Sequence, residues 1–337
     1  MAPGRRTLAS RTDPRLARVT RKKKISQLAW REYLPLAATA ASWAVIVLAI
    51  GHADAARLLA AVTFVRGTQL MLRLATPTAL KLRLNSSRLI RRQSKRFSFR
   101  LQTIALIAGL VVIAGLAEAL KAIGQDQIAA YLPFLALGMP ARYLRLADVK
   151  TASPYFRLAL TCSGLVTATV AWVAGWPVTL FALAFGLREW IAYAVLRWWP
   201  REPRVPRQSV DVPLQFKEVA QYSVIFGRRL LTYRLSKTLL TVFGPFGNAA
   251  ARTGRGLNWH SKLEPYIPHH LGGFIAFALG TLGAAAAFAI RSGEPAAMIA
   301  AAGLYQVSGA ALNIVFLWKW LPNRGVDVSL IYDDDDE

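Results

Sequence analysis

Charged side chains inside apolar stretches are the feature of this sequence that could carry chemistry. Arg66 and Arg73 lie in one apolar stretch, and Arg188 and Glu189 lie near the middle of another. Because a charge at the centre of a bilayer costs roughly 2.5–3.5 kcal/mol on insertion scales, we expect these side chains to face a cavity or each other. Arginine suits a phosphate ligand, since its planar guanidinium can donate two parallel hydrogen bonds.

The sequence leaves two interpretations of these charges open. In the first, they line a basic, water-filled cavity that binds an anion such as a diphosphate-linked lipid. In the second, they form structural ion pairs or extend to the membrane interface. Arg66 and Arg73 are seven residues apart, which predicts that they share one helical face. With the arginines of an amphipathic segment at 219–243, the candidate substrate-binding residues are Arg66, Arg73, Arg188, Glu189, Arg228, Arg229 and Arg234.

The composition decides between two classes of basic protein. The 337-residue chain has a formal net charge of +24, which in a soluble protein would suggest nucleic acid as the partner. However, 54% of the residues are hydrophobic, and the charge lies in blocks between apolar runs. This pattern is typical of a polytopic membrane protein, and we expect no nucleic-acid partner.

A basic loop predicts how the chain is oriented in the membrane. The segment 81–100 contains eight Lys or Arg residues and no acidic residue. It precedes the apolar stretch 101–120, which at 1.5 Å per residue is long enough to cross a hydrocarbon core of roughly 30 Å. Basic loops mark the cytoplasmic side. We therefore predict a multi-pass protein of the bacterial inner membrane with a cytoplasmic N-terminus.

The apolar stretches predict an all-α, polytopic membrane helix bundle of eight or nine transmembrane helices. Whether the number is eight or nine depends on the segment 219–243. This segment either crosses the membrane and lines a polar cavity or lies in the interface as a basic amphipathic helix. The side on which the C-terminus lies depends on that choice. The other predicted spans are 34–50, 58–80, 101–120, 128–144, 158–174, 177–196, 271–290 and 296–318.

Charge and hydropathy also divide the chain into segments. The basic arm either contacts anionic phospholipid, since clustered Lys and Arg are each worth about 1 kcal/mol near such a surface, or remains solvated. The acidic tail is predicted to be solvated rather than a cation site. The segments are a basic cytoplasmic arm (1–32), a six-helix membrane module (33–200), an amphipathic helix with a polar loop (201–270), a C-terminal two-helix hairpin (271–320) and the acidic tail (321–337).

Several familiar catalytic patterns are missing from the sequence. The glycine-bearing run 244–256 lacks the ending of a phosphate-binding loop. His260, Glu264, His269 and His270 match no standard metal-ligand spacing. The single cysteine, Cys162, permits no intramolecular disulfide. We therefore expect no cofactor, no metal and no enzymatic activity.

Three stretches carry a resemblance to a known superfamily: SSRLIRRQSKRFSFRLQTIALIAGLVVIAG, the Pro-Xaa-Arg element and small-residue-rich helix within 135–176, and YSVIFGRRLLTYRLSKTLLTVFGPFG. Over roughly residues 30–250, the chain resembles the membrane half-module of polysaccharide-exporting flippases. That superfamily also contains multidrug and toxin extruders and peptidoglycan-precursor flippases. The chain departs from it after Gly247, where a polar segment replaces an apolar helix, and it lacks a complete second half.

The resemblance implies a flippase-like transporter of a lipid-linked saccharide or another anionic lipid-linked precursor. Its mechanism would be alternating access, with the cavity arginines holding the diphosphate. A homodimer could complete such a cavity. The alternative is a non-catalytic integral membrane subunit that docks on a larger complex through its basic face or its acidic tail. A membrane enzyme of lipid or glycan metabolism is a weaker third hypothesis.

Overall fold

The computed structural model describes residues 14–147, 154–198, 210–227, 231, 271–291 and 294–319. Within these ranges the fold is an all-helical bundle without strands, as expected of a multi-pass membrane protein. The predictions for Arg228, Arg229, Arg234, the loop histidines and the acidic tail lie outside the described residues. Among the described residues, five segments are long and apolar enough to cross a membrane: Ala37–Met71, Arg88–Ala122, Val178–Trp198, Leu271–Ile290 and Ala296–Trp318.

Helix α1 (Pro14–Met71) contains the first predicted span and most of the second, and it begins within the predicted polar arm. Its helical geometry is interrupted at Gly51, whose φ of 80° and ψ of 164° suit a residue without a Cβ atom. The connection between the predicted spans 34–50 and 58–80 is therefore a kink within one helix. The helix ends at Met71, so the second span does not continue to Leu80 as predicted.

The predicted basic loop is largely helical. Helix α2 (Thr76–Lys81) is followed by a short turn, and α3 (Arg88–Ala122) begins where the Ser87 hydroxyl accepts a hydrogen bond from the Ile90 amide. Because Lys and Arg are good helix formers, the basic residues extend the apolar helix rather than interrupt it. The prediction of a loop was wrong for most of 81–100.

The fourth predicted span, 128–144, is broken into α4 (Asp126–Ala136) and α5 (Met139–Leu146). Pro133 inside α4 lacks the amide proton that a continuous helix would use, and Pro140 lies in the first turn of α5, where that proton is not needed. This segment and the short apolar helix Leu160–Val173 are not among the five long apolar segments, so the structure does not confirm eight or nine spans.

The remaining described elements are α6 (Pro154–Val173), α7 (Val178–Trp198), α8 (216–227), α9 (Leu271–Arg291) and α10 (Pro295–Trp318). Of the five long apolar segments in the described residues, α10 has the largest buried share, with 67% of its most apolar 18 residues inside the protein. It packs along α1 and α9. A Cβ atom on Gly309 would lie 2.5 Å from the Gly67 carbonyl oxygen, so α1 and α10 cross at close range.

Polar contacts connect one end of the bundle, which we call the basic end and define as residues 72–100, 146–147 and 210–223. The Thr76 hydroxyl donates to the Leu146 carbonyl at 2.7 Å and accepts from the Gln102 amide at 2.8 Å. The Ala75 amide donates to the Ser223 hydroxyl at 2.8 Å. The broken helix, α3 and α8 are therefore held to the segment that follows α1.

Candidate functional site

The break between α4 and α5 rests directly on α7. A Cβ atom on Gly138 would lie 2.7 Å from the Gly186 carbonyl oxygen, so the two glycines allow the backbones to approach closely. The Trp190 indole donates a 2.7 Å hydrogen bond to the Leu137 carbonyl, an acceptor at the end of α4. These contacts place α5 and its two arginines beside the centre of α7.

Arg145 of α5 forms an ion pair with Glu189 of α7, and both side chains are half-buried. Arg142, one turn earlier on α5, interacts electrostatically with Glu189, Arg145 and Arg66. Arg188 interacts with Glu189 and Arg145. We call these five residues (Arg66, Arg142, Arg145, Arg188 and Glu189) the arginine cluster.

The arginine cluster has more positive than negative charge, because it contains four guanidinium groups and one carboxylate. Like charges in a poorly solvated site repel one another, and this repulsion favours the binding of an anion. The Nε atom of Arg145 is buried and has no hydrogen-bond partner among the described residues. An unsatisfied buried donor costs about 1–3 kcal/mol, and an anion would remove that cost.

A cavity of about 400 Å³ lies next to the cluster, between α6, α7 and the part of α1 that precedes Gly51. Its wall is mainly apolar and aromatic, and the Trp43 and Phe185 rings stack with their centroids 5.5 Å apart. Arg188 forms a polar part of the wall. A Cβ atom on Gly164 would lie 3.7 Å from the Arg188 Nη1 atom and 4.0 Å from the Ser42 hydroxyl, so Gly164 leaves room for the guanidinium.

This arrangement suits an amphipathic anion. Ligand pockets of roughly 300–1,000 Å³ commonly combine an apolar wall with a few polar groups that fix the orientation of the ligand. Here the apolar wall accommodates a hydrocarbon chain, and Arg188 connects the cavity to the cationic groups of the cluster. A charged headgroup and an apolar tail would therefore find matching surfaces in one place.

Three of the predicted site residues, Arg66, Arg188 and Glu189, each interact electrostatically with an arginine of α5. Arg73 does not share a helical face with Arg66, because α1 ends at Met71. Its guanidinium instead lies 4.1 Å from the ring centroid of Phe226 in α8, a favourable cation–π contact. The prediction of one shared face was therefore wrong.

Arg142 and Arg145 were not among the predicted site residues, although Arg142 lies within the predicted span 128–144 and Arg145 directly after it. Their spacing of three residues places them on neighbouring positions of a helix surface, and the prolines at 133 and 140 signal the break that positions this helix. These two signals together could have identified the residues from the sequence.

Comparison with known proteins finds no family model that matches this sequence. It likewise finds no match among curated proteins and none among solved structures. The arginine cluster and the adjacent cavity are therefore the observations that support a function.

Proposed function

We propose that this chain is a flippase-like integral membrane transporter of an anionic lipid-linked precursor, such as a lipid-linked saccharide. The observation that carries the proposal is the position of Arg188, which belongs to the arginine cluster and also forms part of the cavity wall. A lipid-linked diphosphate has the corresponding chemistry, with a long apolar chain attached to a headgroup of high negative charge.

The arginine cluster supports the phosphate part of this ligand. Arg142 and Arg145 approach from α5, and Arg188 approaches from α7, so guanidinium groups from two helices could bind one headgroup. Bidentate arginine–phosphate hydrogen bonds are among the strongest in proteins, and partial burial strengthens them because the local dielectric constant is low. The phosphate would replace Glu189 as the partner of Arg145.

The cavity supports the apolar part of the ligand. Trp43, Phe181 and Phe185 supply aromatic surface, and Ser42 and Thr167 contribute hydroxyl groups to the wall. The lining segments belong to three helices, so an isoprenoid or acyl chain would be held between them while its headgroup contacts Arg188.

The broken helix supports a transport cycle. Discontinuous helices near the membrane centre are common at transporter binding sites, where one segment moves against another. In this chain the break at Leu137–Gly138 separates α4 from the arginine-bearing α5. Exchange of the Arg145–Glu189 ion pair for an Arg145–phosphate contact would couple headgroup binding to a movement of α5 along α7.

The test is a transfer assay with the full-length chain in proteoliposomes. The probe is a polyprenyl-diphosphate saccharide that carries a fluorophore on the sugar, and the measurement is the rate at which an external quencher gains access to it. We expect Arg188→Ala to slow transfer at least tenfold. The matched control is Arg197→Ala, because Arg197 is an exposed residue of the same helix and lies outside the cluster.

Two results would overturn the proposal. One is equal transfer by the wild type and the Arg188→Ala variant. The other is a transfer rate no higher than in protein-free vesicles, together with native purification of the chain with a stoichiometric set of other membrane proteins. That combination would favour a non-catalytic subunit of a larger complex.

A further inference from the structure

Helix α3 is longer than a membrane requires. Its 35 residues span about 52 Å at 1.5 Å per residue, whereas a hydrocarbon core is roughly 30 Å thick. If the apolar part at 101–120 occupies the core, the first thirteen residues, 88–100, extend past it at the basic end. This extension has no acidic residue, and its exposed basic side chains are Arg88, Arg91, Arg92, Lys95, Arg96 and Arg100.

One side of the extension is fixed to the protein. The Ser94 hydroxyl accepts a 3.0 Å hydrogen bond from the Leu214 amide, and the Ser98 hydroxyl donates to the Ala147 carbonyl at 3.3 Å. Both serines are buried. Because these contacts hold one face against the bundle, the opposite face is presented in a defined orientation.

That opposite face continues the apolar stripe of the same helix. At 100° per residue, Arg96 and Ile104 each point about 40° away from Arg100, one on either side of it. Ile107 and Val111 follow in the same stripe, and their exposed fractions are 58% and 68%. Exposed isoleucine and valine side chains on a membrane-spanning segment contact hydrocarbon. Arg100 and Arg96 lie one and two turns before Ile104 on the same stripe, and they are therefore at the depth of the headgroups.

We propose that Arg96 and Arg100 form a binding site for the headgroups of anionic phospholipids in the leaflet at the basic end. Phe99, which lies between these arginines in the sequence, is 51% exposed. Apolar side chains among arginines favour a lipid surface over a purely acidic polypeptide, because they can enter the acyl region while the guanidinium groups bind phosphate. This site is separate from the proposed transport function and places lipid binding on α3 rather than on the N-terminal arm.

The test compares two double variants of the full-length chain. Arg96→Gln with Arg100→Gln removes the proposed site. Arg88→Gln with Arg91→Gln removes the same charge from the same extension, but at 100° per residue these arginines point about 120° and 180° away from Arg100 and about 80° and 140° away from Arg96. Arg91 also donates a hydrogen bond to the Leu84 carbonyl. The chain is held in neutral detergent and titrated with phosphatidylglycerol or phosphatidylcholine, and bound lipids are counted by native mass spectrometry.

We expect the Arg96/Arg100 variant to bind phosphatidylglycerol about fivefold more weakly per arginine removed, whereas the control pair changes binding by less than twofold. Phosphatidylcholine binding should be unaffected in both variants. Equal losses in the two variants would overturn the site, since they would indicate a response to net charge alone. Unchanged phosphatidylglycerol binding in the Arg96/Arg100 variant would also overturn it. If that variant instead lost an acidic protein partner, the two arginines would bind a protein and not a lipid.

A variant with lysine at both positions distinguishes the loss of charge from a folding defect. Arg96→Lys with Arg100→Lys keeps the charge but removes the bidentate geometry, and we expect it to retain most of the preference for phosphatidylglycerol. A loss as complete as in the glutamine pair, with an unchanged melting temperature, would contradict an electrostatic headgroup site.

Discussion

Arg83 and Glu218, 135 positions apart in the sequence, are joined by two hydrogen bonds of 2.8 and 2.6 Å between the guanidinium and the carboxylate. The Arg83 side chain is almost completely buried, and it also donates to the carbonyls of Val212 and Ala79. This ion pair connects the turn after α2 to α8. It therefore holds together the basic end, which includes Leu146 at the end of α5.

The first prediction concerns this ion pair. Glu218→Ala leaves a buried guanidinium without its carboxylate, and loss of one partner of a buried pair typically costs about 3–5 kcal/mol. We expect a clear decrease in the melting temperature of the purified chain in detergent. Lys217→Ala is the control, because Lys217 is exposed on the same helix. A Glu218→Ala protein that melts with the wild type would show that the pair contributes nothing to stability.

The second prediction concerns the helix crossing at Gly138. Because a Cβ atom there would lie 2.7 Å from the Gly186 carbonyl oxygen, Gly138→Ala should displace α5 from α7 and lower both stability and transfer activity. Gly115→Ala in α3 meets no atom within 4 Å and should be neutral or stabilising by up to about 1 kcal/mol. Thermal unfolding and the transfer assay measure the two effects. Equal behaviour of the two variants would argue against a close crossing.

The third prediction concerns the single carboxylate of the arginine cluster. Glu189→Gln removes the carboxylate that pairs with Arg145 and leaves the cluster with positive charge only. We therefore expect a lower melting temperature in chloride and a larger rise on addition of inorganic diphosphate. Glu118→Gln removes an exposed carboxylate that pairs with Lys121 on α3. If both variants respond to diphosphate as the wild type does, the cluster does not bind phosphate.

The fourth prediction concerns the cavity. Gly164→Leu would extend a side chain toward Arg188 and Ser42 and fill part of the space, whereas Gly164→Ala adds only an ordinary van der Waals contact. We expect the leucine variant to purify folded but with far less bound lipid-linked substrate, and the alanine variant to resemble the wild type. Quantitative lipid extraction and mass spectrometry measure the difference. Full lipid retention by a folded Gly164→Leu protein would exclude the cavity as the site.

The sequence by itself determined the helical class and the position of most apolar helices, because hydropathy depends on local composition. It also identified Arg188 and Glu189 as charges that need partners, since a charge within an apolar stretch is costly wherever the chain places it. The breaks at 72–75 and 137–138 were missed, although prolines lie near both. Hydropathy averaged over a window does not register a local loss of helical hydrogen bonds.

Only the tertiary structure decided which charges meet. Glu189 pairs with Arg145 because Gly138 and Gly186 let α5 approach α7, and Arg83 is satisfied by Glu218 from a distant helix. The central position of α10 likewise depends on the close crossing at Gly67. Such contacts form where small residues allow two backbones to pack closely. They depend on pairs of residues that are far apart in the chain, so no single stretch of sequence predicts them.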